Sequence, residues 1–400
     1  MKRIIIASIA AIISIGAIAD AVDQKKIDRA TFATTLFTGV EQYENFSRLA
    51  EFFPVTKMQA SKKPFSFKEG EAIKLPKSYR FKEGAVDVES FLSETDTSAL
   101  LVIKNGEVRF ERYMLTGGRD VNWLSMSVAK SFIATSIGIA VDEGLIDIEK
   151  PITDYVPALA GSAYDKVRIK DVLQMSSGAA WNEDYSDPNS DVMRLGQIMA
   201  AGGSLDDFVP TLKRQKEPGT WNHYNSTDTQ ALGMLLARAT GQSVTEYMEE
   251  KIWQPLGMES DAYWLVDDNK VEMAFAGLNA TARDYAKLGE LHRLKGHWQG
   301  KQIVSEKWVH DATRPDAPHL MPGVDKNYPL GYGYQWWIPA STEGEYSAIG
   351  VYNQFIYVNP SKDLVIVKLS ANSNYASSLE QSAYREVETI EFFREIAKVL

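Results

Sequence analysis

The hydrophobic pattern along this 400-residue chain changes period several times, and each change marks an element. From Ser127 to Gly144, apolar residues at Val128, Phe132, Ile133, Ile137, Ile139, Ala140 and Val141 cover most of a helical circumference, which predicts a buried helix stopped at Gly144. Before it, 99–104 and 107–113 flank Asn105-Gly106, a pair that tolerates positive φ at both central positions of a type I′ turn, so the segment predicts a hairpin. On its second arm Val108 and Phe110 alternate with Arg109 and Glu111, as expected for a strand with one face on a core and one on water. Helical spacing then recurs at 169–178, 190–201, 229–240, 244–253 and 282–294. Between about 155 and 320 no strand pair is evident, which predicts an inserted all-α lobe. Strand pattern returns at 331–339 and 346–358, turns at 359–363, and ends in the β-branched run 364–369. Ile390, Phe393, Ile396, Val399 and Leu400, within 379–400, predict a closing helix packed on that sheet. Residues 20–80 show little periodicity and read as an extension covering one side of the fold.

The first residues change the picture of where the chain works. Met1-Lys2-Arg3, an apolar run from Ile4 to Ala19 and a small-x-small Ala17-Ile18-Ala19 before Asp20 have the form of a signal peptide over 1–19. The run is 16 residues, short of the ~20 that span a bilayer, so cleavage and a periplasmic or secreted protein are expected, with an uncleaved N-terminal anchor as the alternative. Cleavage takes the formal net charge from −10 to −12 and argues against nucleic acid or an anionic membrane as a partner. With no cysteine, disulfides, thiolate metal sites and a cysteine nucleophile are all excluded, and stability rests on a core that 44% hydrophobic residues can fill, divided between two lobes. The oligomeric state is left open.

Chemistry enters at the mouth of the buried helix. A serine there has a plain structural use, because its hydroxyl caps an orphan backbone N–H. Lys130 adds a second use: three residues on, its amine projects from the same face about one turn away. A lysine near the N-terminus of a buried helix opposes the helix dipole and loses hydration, and both effects lower its pKa. Such an amine can accept a proton from serine. The free N–H groups at that terminus can also hold a developing oxyanion.

The residues around this pair carry a resemblance. Ser125-Met126-Ser127-Val128-Ala129-Lys130-Ser131-Phe132, followed by Asp142-Glu143-Gly144-Leu145-Ile146-Asp147-Ile148-Glu149-Lys150-Pro151, resembles the serine β-lactamase and penicillin-binding-protein superfamily. Within it the match is to the class C-like esterase and amide-hydrolase branch, which includes 6-aminohexanoate-dimer hydrolases and carries an S-x-x-K nucleophile motif. The resemblance covers roughly residues 30 to 400. It implies an α/β fold of the α+β type, in which an antiparallel sheet is flanked by helices and an all-α lobe is inserted. The expected division is 81–155 with 325–400 as the α/β domain and 156–324 as the all-α domain. It also implies acyl-enzyme chemistry on a small-molecule ester or amide with no cofactor.

The second motif is Glu217-Pro218-Gly219-Thr220-Trp221-Asn222-His223-Tyr224-Asn225-Ser226-Thr227-Asp228. On residue types alone, Ser, Thr and Asp cap a helix and the tyrosine packs, or Tyr224 is an acid/base group that needs a neighbouring cation because its pKa in water is near ~10. The resemblance selects the second reading, since the superfamily carries a Tyr-x-Asn or Tyr-x-Ser element after a Pro-Gly-Thr turn. Ser226 gives the Tyr-x-Ser form, which favours esterase or amidase chemistry over β-lactam binding. The superfamily's third element, Lys-Thr-Gly or His-x-Gly, is missing: Ala348-Ile349-Gly350 stands where the basic residue is expected. Its absence argues against substrates bearing the carboxylate of penicillins or peptidoglycan stems. The backbone N–H groups of Ser127 and Ile349 are the expected oxyanion hole.

Tyr185, Asp187 and Asp191 fall on a loop expected over the cleft, with Asp191 equally explained as a helix-capping residue. Tyr185, Ser226, Trp336 and Trp337 are candidate substrate contacts, core packing being the alternative for the tryptophans. His223 adjoins Tyr224 but reads better as packing, and the other histidines lack a partner at ligand spacing, so no metal site is expected. No G-x-S-x-G occurs, which removes a nucleophile elbow. The resulting expectation is a serine hydrolase. The alternatives are a β-lactamase or D-Ala-D-Ala carboxypeptidase, or a catalytically silent binding protein of the same fold.

Overall fold

The computed structural model describes residues 24–33, 36, 42–326, 328–375, 377 and 385–400. The expected signal segment and residues 379–384 of the expected closing helix lie outside that set. Two sheets frame the site. The smaller has four antiparallel strands, Val55–Met58 (β1), Trp123–Leu124 (β5), Ala262–Leu265 (β6) and Leu278–Ala280 (β7), in the order β1-β6-β7-β5. The larger has eight, Lys68–Glu69 (β2), Thr97–Lys104 (β3), Glu107–Tyr113 (β4), Gly331–Tyr332 (β8), Trp337–Ile338 (β9), Tyr346–Gly350 (β10), Gln354–Asn359 (β11) and Leu364–Ser370 (β12). Their order is β8-β9-β10-β11-β12-β3-β4-β2, antiparallel throughout except for the parallel edge pair β2 with β4.

The expected hairpin forms β3 and β4, with Asn105 at φ 53° and Gly106 at φ 75°, as a type I′ turn demands. Strand β12 pairs with β3, which joins the C-terminal strands to the first hairpin. Alternate residues of these central strands feed two cores. Leu101, Ile103, Val365 and Val367 belong to a large core that includes Leu288 and Leu291 of the helix Ala282–Arg293 (α5). Leu100, Val102, Leu364 and Ile366 face Phe91 of Val88–Glu94 (α1) and Phe392 and Phe393 of Arg385–Ile396 (α6). With both faces covered, β12 needs an unbroken apolar run rather than an alternating one.

The buried helix is Ala129–Asp142 (α2), and Gly144 ends it at φ +75°. Ser127 lies in a 3-10 turn, Met126–Val128, that leads into α2, and its hydroxyl caps no backbone N–H there. Asp191–Ala201 (α3) and Ser226–Thr240 (α4) are helices of the inserted region, and α4 packs on α2. The expectation of no strand pair between 155 and 320 is corrected by β6 and β7, which pair with each other. Both are buried on both faces and only four and three residues long, so neither alternation nor length marked them. Strand β1, from the segment read as a cover, adds to β6, and β5 just before Ser127 adds to β7.

Candidate active site

The turn carrying Ser127 is fixed from below by this small sheet: the Ser125 N–H donates to Leu278 O at 2.8 Å. Met126 takes a left-handed φ of 46°, a conformation that non-glycine residues rarely adopt, and presents Ser127 at the start of the helix. On the other side Gly350 at the end of β10 lies so close that a Cβ there would sit 2.7 Å from Ser125 O and 2.9 Å from Ser127 N. The backbone N–H of the serine and the C-terminal end of β10 are therefore neighbours.

Lys130, one turn along α2, is almost wholly enclosed. Its Nζ is 2.9 Å from Ser127 Oγ, 3.2 Å from Ser226 Oγ and 2.8 Å from the carbonyl oxygen of Phe275 in the β6–β7 connection. Burial pushes the amine down to about 7, against the opposing pull of the Glu183 carboxylate. Tyr224 sits in the loop before α4, whose N-cap is Asn225: its Oδ1 accepts from Thr227 N at 2.8 Å. Lys130 Nζ lies 5.1 Å from the centre of the Tyr224 ring. The phenol is buried, which holds it well above its ordinary value; Tyr332 and Glu183 push the same way and the nearby Ser127 hydroxyl opposes them. Ser127, Lys130, Tyr224 and Ser226 thus form one connected cluster.

Trp337 is stacked on Tyr224 with ring centres 5.2 Å apart. Trp336 has no part in this stack. It is fully buried against His292 and Tyr346, and its candidacy as a substrate contact is corrected to core packing. Neighbouring residues of an extended segment face opposite sides, so only one of the two could meet the cleft. Tyr185 is at the cleft, its ring 6.0 Å from that of Tyr375 and its hydroxyl donating to Glu183 Oε1 at 3.1 Å. Asp187 and Asp191 instead hold the loop together: Asp187 Oδ1 accepts from Asn189 N at 2.9 Å and Asp191 Oδ2 from Asn182 N at 2.9 Å. His223 packs on Trp221 at 4.1 Å and its Nε2 pairs with the Trp181 carbonyl at 2.8 Å, which ties the same loop to the Tyr224 segment. Ile349 turns its side chain into the core under α1 and α6, away from the serine.

Sequence reasoning missed two members of the cluster. Glu183 accepts from Ser226 Oγ at 2.6 Å and from Ser226 N at 3.1 Å, and it also accepts from Trp181 Nε1. Its only signal was its place two residues before Tyr185. The Phe275 carbonyl had none, because a backbone acceptor leaves no trace in residue type. Among the described residues, no group of His, Asp and Glu has the arrangement to hold a metal ion.

The model of the Beta-lactamase family matches residues 89–389, the span that contains every one of these residues. The chain belongs to the β-lactamase family. A 6-aminohexanoate-dimer hydrolase of Paenarthrobacter ureafaciens is 36% identical over 295 residues, 71% of this chain and 75% of that protein. Among solved structures, a Bacillus anthracis protein provisionally named 6-aminohexanoate-dimer hydrolase superposes with a TM-score of 0.78 at 24% identity, over 91% of this chain and 95% of that one. A family VIII carboxylesterase superposes with a TM-score of 0.58 at 16% identity, over 78% and 96% of the two chains. These two likenesses establish the shared fold. The protein is a serine hydrolase of the β-lactamase family.

Proposed function

We propose that this β-lactamase-family hydrolase cleaves ester or amide bonds of small molecules through an acyl-enzyme on Ser127. The observation that carries the reading is the 2.9 Å contact between Lys130 Nζ and Ser127 Oγ in a pocket dry enough to bring the amine to about 7. The neutral amine takes the proton of the serine hydroxyl as Oγ attacks the carbonyl carbon. The backbone N–H groups of Ser127 and Ile349 receive the oxyanion. Tyr224, held protonated by burial, gives its proton to the departing oxygen or nitrogen and regains one from the Lys130 ammonium, which lies under its ring. Water then repeats the sequence and frees the acid. Ser226 and Glu183 act behind the lysine, as a hydroxyl that orients the amine and a carboxylate that offsets the ammonium form.

Ala348 in place of a basic residue sets the preference toward esters and linear amides rather than β-lactams. The kinship with a 6-aminohexanoate-dimer hydrolase supports the amide branch of that range. Residues 1–19 support export to the periplasm or the medium. Intact mass after incubation with a fluorophosphonate tests the core of the proposal. A single adduct on the wild type that is absent from Ser127→Ala is expected; an unlabelled wild type, or a labelled mutant, refutes it.

A further inference from the structure

Beyond Tyr224 a run of aromatic rings leads away from the reacting atoms. Tyr328 meets Trp337 edge-on with ring centres 4.7 Å apart, and Trp337 in turn covers Tyr224. At the end of this run the Tyr328 hydroxyl donates to Glu386 Oε2 at 2.5 Å. Glu386 stands in the first turn of α6, is only 7% exposed, and its carboxyl acts electrostatically on the phenols of both Tyr224 and Tyr375. Tyr375 belongs to the cleft, where it meets Tyr185 and Tyr352.

Among the described residues Glu386 Oε1 has no hydrogen-bond partner and no basic side chain pairs with the carboxyl. Its neighbour Arg385 turns away to Glu94 and Glu388. Burial pushes the carboxyl up to about 7, so in the empty cleft it is poorly suited to carrying a charge. An arriving cation reverses that preference by supplying the missing partner. The rings of Trp337 and Tyr328 on the way present faces that attract an ammonium group. Tyr224 protonates the departing atom, so what extends beyond it along Trp337 and Tyr328 is the leaving group.

We infer that Glu386, with Tyr328 and Trp337, forms a leaving-group subsite for a cation, and that favoured substrates release an alcohol or amine bearing an ammonium group a few carbons from the scissile bond. The inference rests on the acyl-enzyme reading above. The bond changes are those of hydrolysis: the Ser127 Oγ–carbon bond forms, the carbon–leaving atom bond breaks, the Tyr224 proton goes to the leaving atom, and water later releases the acid. Where the superfamily uses a basic residue against a substrate carboxylate, this chain has Ala348, and Glu386 inverts the charge.

The test is thioester hydrolysis by the full chain, read by thiol release without background because the chain has no cysteine. Trimethylammonioalkyl thioacetates with ethyl to butyl linkers are each compared with the neutral tert-butyl isostere. At one linker length or more, kcat/KM is expected to favour the cation by about tenfold or more, as a desolvated cation–aromatic and ion-pair contact implies. The ratio is expected to fall toward one in Glu386→Gln and to survive in part in Glu386→Asp. A ratio near one at every length in the wild type, or an unchanged ratio in Glu386→Gln, overturns the subsite. Fluorophosphonate labelling of the same preparations separates the two readings. An unlabelled wild type defeats the hydrolase mechanism itself, whereas labelled protein without cation preference defeats only the role of Glu386. Should Glu386→Gln fail to fold, protection of wild-type Ser127 from labelling decides the matter. Selective protection by butyltrimethylammonium over its uncharged isostere supports the subsite, and equal protection overturns it.

Discussion

Lys130 makes its three polar contacts through one atom, to two hydroxyls and a carbonyl, none of which carries a charge. That is a poor site for an ammonium and a good one for an amine. The active form is the deprotonated one, so kcat/KM for an ester is expected to fall about tenfold per pH unit below about 7 and to level off above it. Glu183 is the group that raises the lysine, so Glu183→Gln is expected to move this limb to lower pH; a limb that stays or moves up contradicts the assignment. Tyr224 behaves in the opposite sense, because burial keeps its proton on throughout the working range. Its use is donation, and Tyr224→Phe should discriminate between leaving groups. A loss of about 10²–10⁴ is expected on amides and alkyl esters, whose leaving atoms need a proton, and a much smaller one on p-nitrophenyl esters. Equal losses on both would remove Tyr224 from the acid role.

Helices α2 and α4, their leading turns and the end of β10 bring these residues together, and their close approach is the feature most open to disruption. Strand β10 touches the nucleophile turn at Gly350, where a methyl group would overlap both Ser125 O and Ser127 N. Gly350→Ala is expected to push the strand outward and lower kcat by about 10²–10³, the range seen when one oxyanion donor is lost. Fluorophosphonate labelling should slow in parallel, and a variant with wild-type kcat would show that the strand end plays no part. The segment 336–337 places one tryptophan on each side of the sheet edge. Trp336→Ala is expected to reduce unfolding free energy by ~3–5 kcal/mol, as for other large aromatic truncations in a core. Trp337→Ala should act mainly on KM, with denaturant melting and steady-state kinetics telling the two apart.

For the whole molecule, the large core runs from the central strands through α2 and α4 to Trp264 and Leu278 of the small sheet, so both sheets contribute to the core around the helix that follows the nucleophile. Tyr224 and Glu183 come to the site from the middle of the chain, and Gly350, Tyr375 and Glu386 from its C-terminal part. Stability without a single disulfide is consistent with a core of that extent. The proposed export predicts a mature chain that begins at Asp20, which intact mass of the expressed protein checks; retention of Met1–Ala19 would make the segment an anchor.

The sequence by itself determined the helix with its serine and lysine, the Asn-Gly hairpin and the β-branched final strand, each written in local periodicity or in residue types at fixed spacing. Tyr224 was singled out by the family resemblance, because its residue types fit a capped helix with a packed tyrosine equally well. Only the tertiary structure decided the rest. Strands β6 and β7 are too short and too evenly buried to betray a period, and β1 gains its identity from pairing with β6 rather than from its own residues. Trp336 and Trp337 are indistinguishable in composition and separated by which face each meets. Glu183 and Glu386 are two glutamates among many acidic residues. What makes them part of the site is the dry, aromatic surroundings that distant segments build around them, and a carboxylate's chemistry is set by those surroundings.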